Sequence, residues 1–249
     1  MLLDDGAQVN VADRSGMTPL HAAVSRNHGD MVNFLIKRSA SVNAPDKKGC
    51  TPLFYAVSLD LVEVANTLLR YDADANHQDV KGRTAAHCAA ARGNNQMLTI
   101  LLHANANLWL PTVKQGDYPV HEAAIAKENG TVEFVLDVTP ETDAINRANN
   151  TGATVLHLAA ISNNKNLCMM LLRKGADKDV EMSLPDGAQI TPHQAAILKH
   201  SLDAAEVLES GQIANDTDEQ EEVTKPEKKE KKEKKEKKEK KDKKKKKKK

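Results

Sequence analysis

Aromatic side chains are nearly missing from this chain: three Phe, three Tyr and one Trp in 249 residues. Ala and Leu dominate the apolar set instead, which favours closely stacked helices over a β-sandwich. No apolar run approaches the roughly 18 residues that a membrane span needs. The opening Met1-Leu2-Leu3-Asp4-Asp5 turns acidic almost at once, where a secretion signal needs a basic start and a longer apolar stretch. The cysteines, Cys50, Cys88 and Cys168, are odd in number, far apart, and form no CxxC. That points to a reducing interior, cytoplasmic or nuclear, and away from a disulfide framework or a zinc site. The glycosylation-type sequons at Asn129, Asn149 and Asn215 are then chance matches. Catalytic signatures are also missing: the sequence holds no HExxH, no GxSxG, no phosphate loop and no metal-spaced Cys/His cluster. Neither an enzymatic activity nor a cofactor is expected.

Net charge is almost missing as well, at +1, but only because two opposite charges cancel. From Lys225 onward there are 18 Lys against 6 acids, or +12; residues 1–224 hold 18 basic against 29 acidic residues, or −11. Acidity peaks in "NDTDEQEE", Asn215 to Glu222, just before the basic end. The chain therefore divides into a body at 1–211, an acidic linker at 212–224 and a Lys/Glu tail at 225–249.

What the body does contain is one motif, six times. "TPLHAAV" begins at Thr18, "TPLFYAV" at Thr51, "TAAHCAA" at Thr84, "YPVHEAA" at Tyr118, "TVLHLAA" at Thr154 and "TPHQAAI" at Thr191. The steps are 33, 33, 34, 36 and 37 residues, a near-constant period that means a stacked array. Each unit reads alike. A loop carries a turn glycine, as in "DRSG", "DKKG" and "DVKG"; Thr then caps a short Ala-rich helix, often with Pro in its first turn. A second helix follows, with apolar residues at helical spacing: Val64, Leu68 and Leu69, then Leu98, Leu101 and Leu102. It should end in a residue that tolerates the left-handed conformation: Gly6 and Gly175 suit this best, Asp72 and Asn105 less well, Ser39 least.

These TPLH-type and GAxVN-type signatures, recurring in register over residues 1–211, resemble the ankyrin repeat. The resemblance implies an all-α fold: an α-solenoid of about six repeats with projecting β-hairpin-like loops. It also implies that the recurrent His21, His87, His121 and His157 bridge neighbouring loops rather than catalyse. The array opens on the last part of a repeat, where Leu2 and Leu3 would belong to a second helix without its beginning; truncation is the favoured reading, and an isoform that docks on something at that end is the other. Two loops are enlarged, Asp137 to Asn146 and Val180 to Ile190. Asn10, Asn43 and Asn76 resemble the setting in which ankyrin asparagines are hydroxylated.

Binding is what the family uses this architecture for. Partners are implied to touch the loop tips and the exposed ends of the first helices: here Arg14, Ser15, Met17, Ser25 and Arg26; Lys47, Lys48, Cys50, Ser58 and Leu59; Val80, Lys81, Arg83, Ala91 and Arg92; Lys114, Gln115 and Asp117. Of the 18 Lys and Arg outside the tail, eight fall on this edge: Arg14, Arg26, Lys47, Lys48, Lys81, Arg83, Arg92 and Lys114. A basic stripe for an acidic protein partner is one reading, and loop lysines serving solubility is the other. Asp13, Asp46 and Asp79, as loop-bracing acceptors, would partly neutralise the stripe. Cys50, beside Lys47 and Lys48, is expected to be exposed.

The tail has no core-forming residue and is expected to be disordered, or transiently helical through Glu-to-Lys pairs four residues apart. Its lysines suit acidic surfaces: nucleic-acid phosphates, acidic protein tails such as those of tubulin, anionic lipid or import receptors. Binding to nucleic acid would be nonspecific, and binding to lipid weak. The functional reading is a non-enzymatic interaction scaffold or adaptor with a basic tether. The alternative is a nuclear or nucleic-acid-associated factor that binds through the tail. Oligomeric state is not legible.

Overall fold

Seven or nine residues make a poor helix in water, where about 12–15 are needed even for favourable sequences. Every α-helix among the described residues has one of those two lengths. The computed structural model describes residues 8–139 and 144–210. The expectations placed on Leu2, Leu3 and Gly6, on the acidic linker and on the Lys/Glu tail lie outside them. Six helix pairs follow one another. The first helices are α1 (Pro19–Ser25), α3 (Pro52–Ser58), α5 (Ala85–Ala91), α7 (Pro119–Ile125), α9 (Val155–Ile161) and α11 (Pro192–Leu198). The second helices are α2 (Gly29–Lys37), α4 (Val62–Arg70), α6 (Asn95–His103), α8 (Asn129–Asp137), α10 (Lys165–Arg173) and α12 (Leu202–Ser210).

Each helix is therefore held by neighbours. First helices pack side by side along the array, and each also packs on the second helix of its own unit. Alanine makes the first contact close: Ala89, Ala90, Ala123, Ala124, Ala159 and Ala160 are fully buried. Leucines of the second helices fill the space behind, with Leu68, Leu98, Leu101, Leu167 and Leu171 also sealed from solvent. The expected all-α solenoid of six units is what forms.

Left-handed residues end the second helices at Ser39, Asp72, Asn105 and Gly175, as the sequence predicts. A second left-handed position, between the two helices of each unit, was not foreseen. It falls at Asn27, Asp60, Gly93, Lys127, Asn163 and His200, with φ between 51° and 70°. Five residue types occupy the six positions, which is why no pattern announced it. The fourth unit breaks the rule at its end: α8 runs into Val138 in a right-handed conformation and enters the enlarged loop.

The loops that precede the first helices form fingers. In the first three, the backbone amide of the leading Asp donates to the carbonyl four residues on: Asp13 to Met17, Asp46 to Cys50 and Asp79 to Arg83, each at 2.9 Å. Only the sixth, enlarged loop pairs as a true ladder among the described residues, β1 (Met182–Ser183) with antiparallel β2 (Gln189–Ile190). Successive fingers are also tied to each other. Lys47 N–H donates to Ser15 O at 2.9 Å, Val80 to Lys48 at 3.0 Å, Val113 to Lys81 at 2.8 Å and Asn150 to Gln115 at 2.8 Å. Asn43 and Asn76 add side-chain ties, each amide donating to the carbonyl that ends the next unit's second helix and accepting a backbone N–H beyond it.

Glycine at the finger bend is required by both conformation and space. Gly82 has φ +79°, and a Cβ there would sit 2.6 Å from the Val113 nitrogen. The Gly82→Ala change should cost about 2 kcal/mol, through a positive φ and a broken finger-to-finger bond. Urea denaturation followed by circular dichroism reads this directly. An unchanged midpoint would show that the fingers separate without cost.

Candidate protein-interaction face

Two structures meet at the edge of the array: the fingers and the ends of the first helices. What holds them in place is a set of buried imidazoles. At His21 the Nδ1 accepts the Thr18 backbone N–H at 3.1 Å, so its Nε2 carries the proton and donates to Cys50 O of the next unit at 3.1 Å. The arrangement repeats with Thr84, His87 and Asp117 O, with Tyr118, His121 and Ala153 O, and with Thr154, His157 and Ile190 O. The bridging role implied by the family resemblance is what these rings perform. The second unit has Phe54 at this position. There Tyr55 donates its hydroxyl to Asp46 at 2.8 Å, and His77 Nε2 lies 3.0 Å from Gly49 O. In the sixth unit Gln194 does the local half of the task, its Oε1 accepting the Thr191 N–H at 2.9 Å.

Acids in the fingers are turned inward. One Asp46 carboxylate oxygen accepts the Lys48 and Cys50 amides, and Asp79 does the same for Lys81 and Arg83, all at 2.8–2.9 Å. Both residues are buried. Asp13 braces its own, more exposed finger through Ser15 and Met17. Its carboxyl is held below the ordinary range by the Ser15 hydroxyl and then by the Met17 amide.

The cations of the tips point the other way. Arg14, Lys47, Lys48, Lys81 and Lys114 are exposed, and no ion pair engages them among the described residues. Arg26, Leu59 and Arg92 cap α1, α3 and α5 and are exposed too. Met17 is half-buried below the first tip. Arg83 does not join the stripe as a free charge. Its guanidinium folds back onto Asp79 through Nε at 3.0 Å and Nη2 at 2.8 Å, over the Phe54 ring.

Two expected contact residues are internal. Cys50 is only 7% exposed, because its amide and carbonyl are both drawn into the finger and the His21 bridge. Burial pushes its thiol up to about 11, with Asp46 and Asp79 adding to the rise. Asp117 is buried likewise, accepting from Asn149 at 2.7 Å. Sequence reasoning also passed over the ends of the later first helices, Ile125, Ile161 and Leu198. Each stands seven residues after the capping position, as Ser25, Ser58 and Ala91 do, so the period alone would have located them. Between the third and fourth fingers lies a groove of about 720 Å³, walled by Val80, Lys81, Val113 and Lys114 and reaching Glu122 and Ile125.

Helix pairs stacked through their first helices, with linked fingers along one edge, define a helical-repeat solenoid. The chain matches the family described as "Ankyrin repeats (3 copies)" over residues 1–79, 87–182 and 121–218, and "Ankyrin repeats (many copies)" over 62–102. It belongs to the ankyrin repeat family, whose arrays are protein–protein interaction modules and in general not enzymes. One relative is the Ankyrin repeat-containing protein P1E11.10 of Schizosaccharomyces pombe (strain 972 / ATCC 24843), 50% identical over 36 residues. That match spans 14% of this chain and 17% of the relative, about one repeat. No helix among the described residues is long and apolar enough to cross a membrane.

The imidazoles make stability depend on pH. Burial, ahead of every other influence, holds His21, His87, His121 and His157 below the ordinary 6.5. The unfolded chain takes up these protons near pH 6.5 while the folded chain still resists them. Stability should therefore be full above about pH 6.5 and fall as the pH drops below it. Urea midpoints at pH 8, 7, 6 and 5.5 check this, and His87→Gln, the residue type the sixth unit already uses, should flatten the fall. A second measurement concerns Cys50: it should react with a thiol reagent at neutral pH only on unfolding, at least about tenfold slower than in urea.

Proposed function

We propose that this protein is a non-enzymatic adaptor, cytoplasmic or nuclear, whose repeats bind an acidic protein surface along the fingers of the first four units. The observation that carries this reading is the opposite orientation of the two charge signs within the same loops. Asp46 and Asp79 are consumed by backbone amides, while Lys47, Lys48, Lys81 and Lys114 stand free at tips held in register by backbone hydrogen bonds. A lysine retained only for solubility has no need of a fixed neighbour. Arg14, Arg26 and Arg92 extend the basic edge, and Met17 and Leu59 give it apolar contacts. Complementary charge at such an edge speeds encounter and selects against basic partners. The Lys-rich tail adds diffuse attraction to an acidic surface, whether protein, lipid headgroup or nucleic-acid phosphate.

The test separates edge from tail. Three full-length proteins are compared for binding a labelled 15-residue Asp/Glu-rich peptide at 50 and 150 mM salt. They are the wild type, the variant Lys47→Glu, Lys48→Glu, Lys81→Glu and Lys114→Glu, and a variant with every lysine from Lys228 onward replaced by Gln. The finger variant should lose at least about tenfold in affinity, since four contacts become repulsions. The tail variant should keep most of the binding at the higher salt. If only the tail variant loses affinity, the edge is not the binding site and the tail carries the function, which would favour the nucleic-acid reading.

A further inference from the structure

The interaction face changes character halfway along. The last residues of the successive first helices are Ser25, Ser58, Ala91, Ile125, Ile161 and Leu198. The first three are small and the last three are branched aliphatic. Ile125 is 53% exposed and Leu198 54%, with Ile161 half-buried between them. Helices α7, α9 and α11 pack directly side by side, so these ends form a line with steps of roughly 8–10 Å. Finger charge changes over the same boundary. The basic tips end at Lys114; the fifth finger presents Asn150 and Thr151, and the sixth presents Asp186.

The groove between the third and fourth fingers sits where the halves meet. Its rim carries Lys81 and Lys114, and Val113, 73% exposed, stands in its wall. On α7, Glu122 and Ile125 reach it, and Arg83 in it is already committed to Asp79. The Glu122 carboxyl is pushed above its ordinary range by burial and then by Asp117. A second carboxylate is unwelcome beside it. An apolar side chain between Val113 and Ile125 meets no such objection, while acids reach the rim lysines.

We infer that the face takes an extended segment of a partner protein in which a run of Asp and Glu is followed directly, in either chain direction, by two or three branched aliphatic residues. The acids lie over Lys47, Lys48, Lys81 and Lys114, and the aliphatic residues lie on Ile125, Ile161 and Leu198. From the first unit to the sixth the span is roughly 40–50 Å, which about 12–15 extended residues cover. The inference rests on the adaptor reading and adds an apolar half to it. A phosphate polymer satisfies the lysines but offers nothing to the aliphatic line. A membrane offers apolar chains but not as a strip one side chain wide.

The test uses the full-length protein in the tail-glutamine background and three labelled 14-residue peptides: acidic followed by Ile/Val, the same residues alternated, and acidic throughout. Fluorescence polarisation gives Kd for each. The two-block peptide should bind about tenfold tighter than either of the others, the gain expected from burying one aliphatic side chain well. Ile125→Ser with Leu198→Ser should erase that gain and leave the all-acidic peptide unaffected. Both positions are exposed, and an unchanged thermal midpoint verifies that the fold survives. Equal affinity for the three peptides, or serine variants that lose nothing, overturns the apolar half while the basic edge stands. No measurable binding by any peptide, with the finger charge-reversal variant behaving as wild type, overturns the adaptor reading itself. A wild-type dimer that the serine variants convert to monomer assigns the aliphatic line to self-contact and also overturns the inference.

Discussion

A helix of seven or nine residues cannot hold its own shape in water, and among the described residues this array has none longer. Each first helix exists because another lies against it, and alanine is what permits the approach. In the four units that carry it, a buried imidazole then ties the unit to the next. One ring nitrogen takes the local amide that caps the helix, and the other reaches the following unit's carbonyl. Local helix capping and long-range stacking are thus performed by a single side chain, which couples them. A unit with its first turn frayed loses its grip on its neighbour at the same moment.

The finger edge follows from the same economy of groups. A backbone that turns sharply leaves amides without partners, and the short side chain of Asp is the nearest acceptor. Once Asp46 and Asp79 face inward to meet those amides, the remaining tip positions face solvent, and lysine fills them. The segregation of charge at the edge is therefore a by-product of how the loop is closed, and it yields a surface whose sign is opposite to that of the body as a whole. Hydrogen bonds from finger to finger turn separate lysines into a spaced row.

Much of this was readable from the residues. Thr18, Thr51, Thr84, Tyr118, Thr154 and Thr191 mark helix starts, and their spacing gives the six units. The chemistry of a cap is local, so a local motif reveals it. Less readable were features decided between units. Cys50 sits between a lysine-rich stretch and a capping Thr, yet it is internal because its carbonyl belongs to His21, 29 residues earlier. Arg83 counts as a cation in the sequence but is spent on Asp79. The left-handed turn at Lys127 or His200 carries no residue signal, because the helices on either side impose it. Of the exposed edge, the basic tips were legible as charges, and the aliphatic helix ends were not, because no charge or motif marks them.

Phe54 stands where four other units carry a bridging histidine. The seam between the second and third units is spanned instead by the His77 ring, which leads into the third finger and lies 3.0 Å from Gly49 O of the second, together with the finger ties and Arg83 over the Phe54 ring. At this seam the imidazole has moved from the first helix to the base of the finger, so the tie no longer depends on a helix cap. Losing the His77 ring would loosen the second finger while leaving every helix start intact.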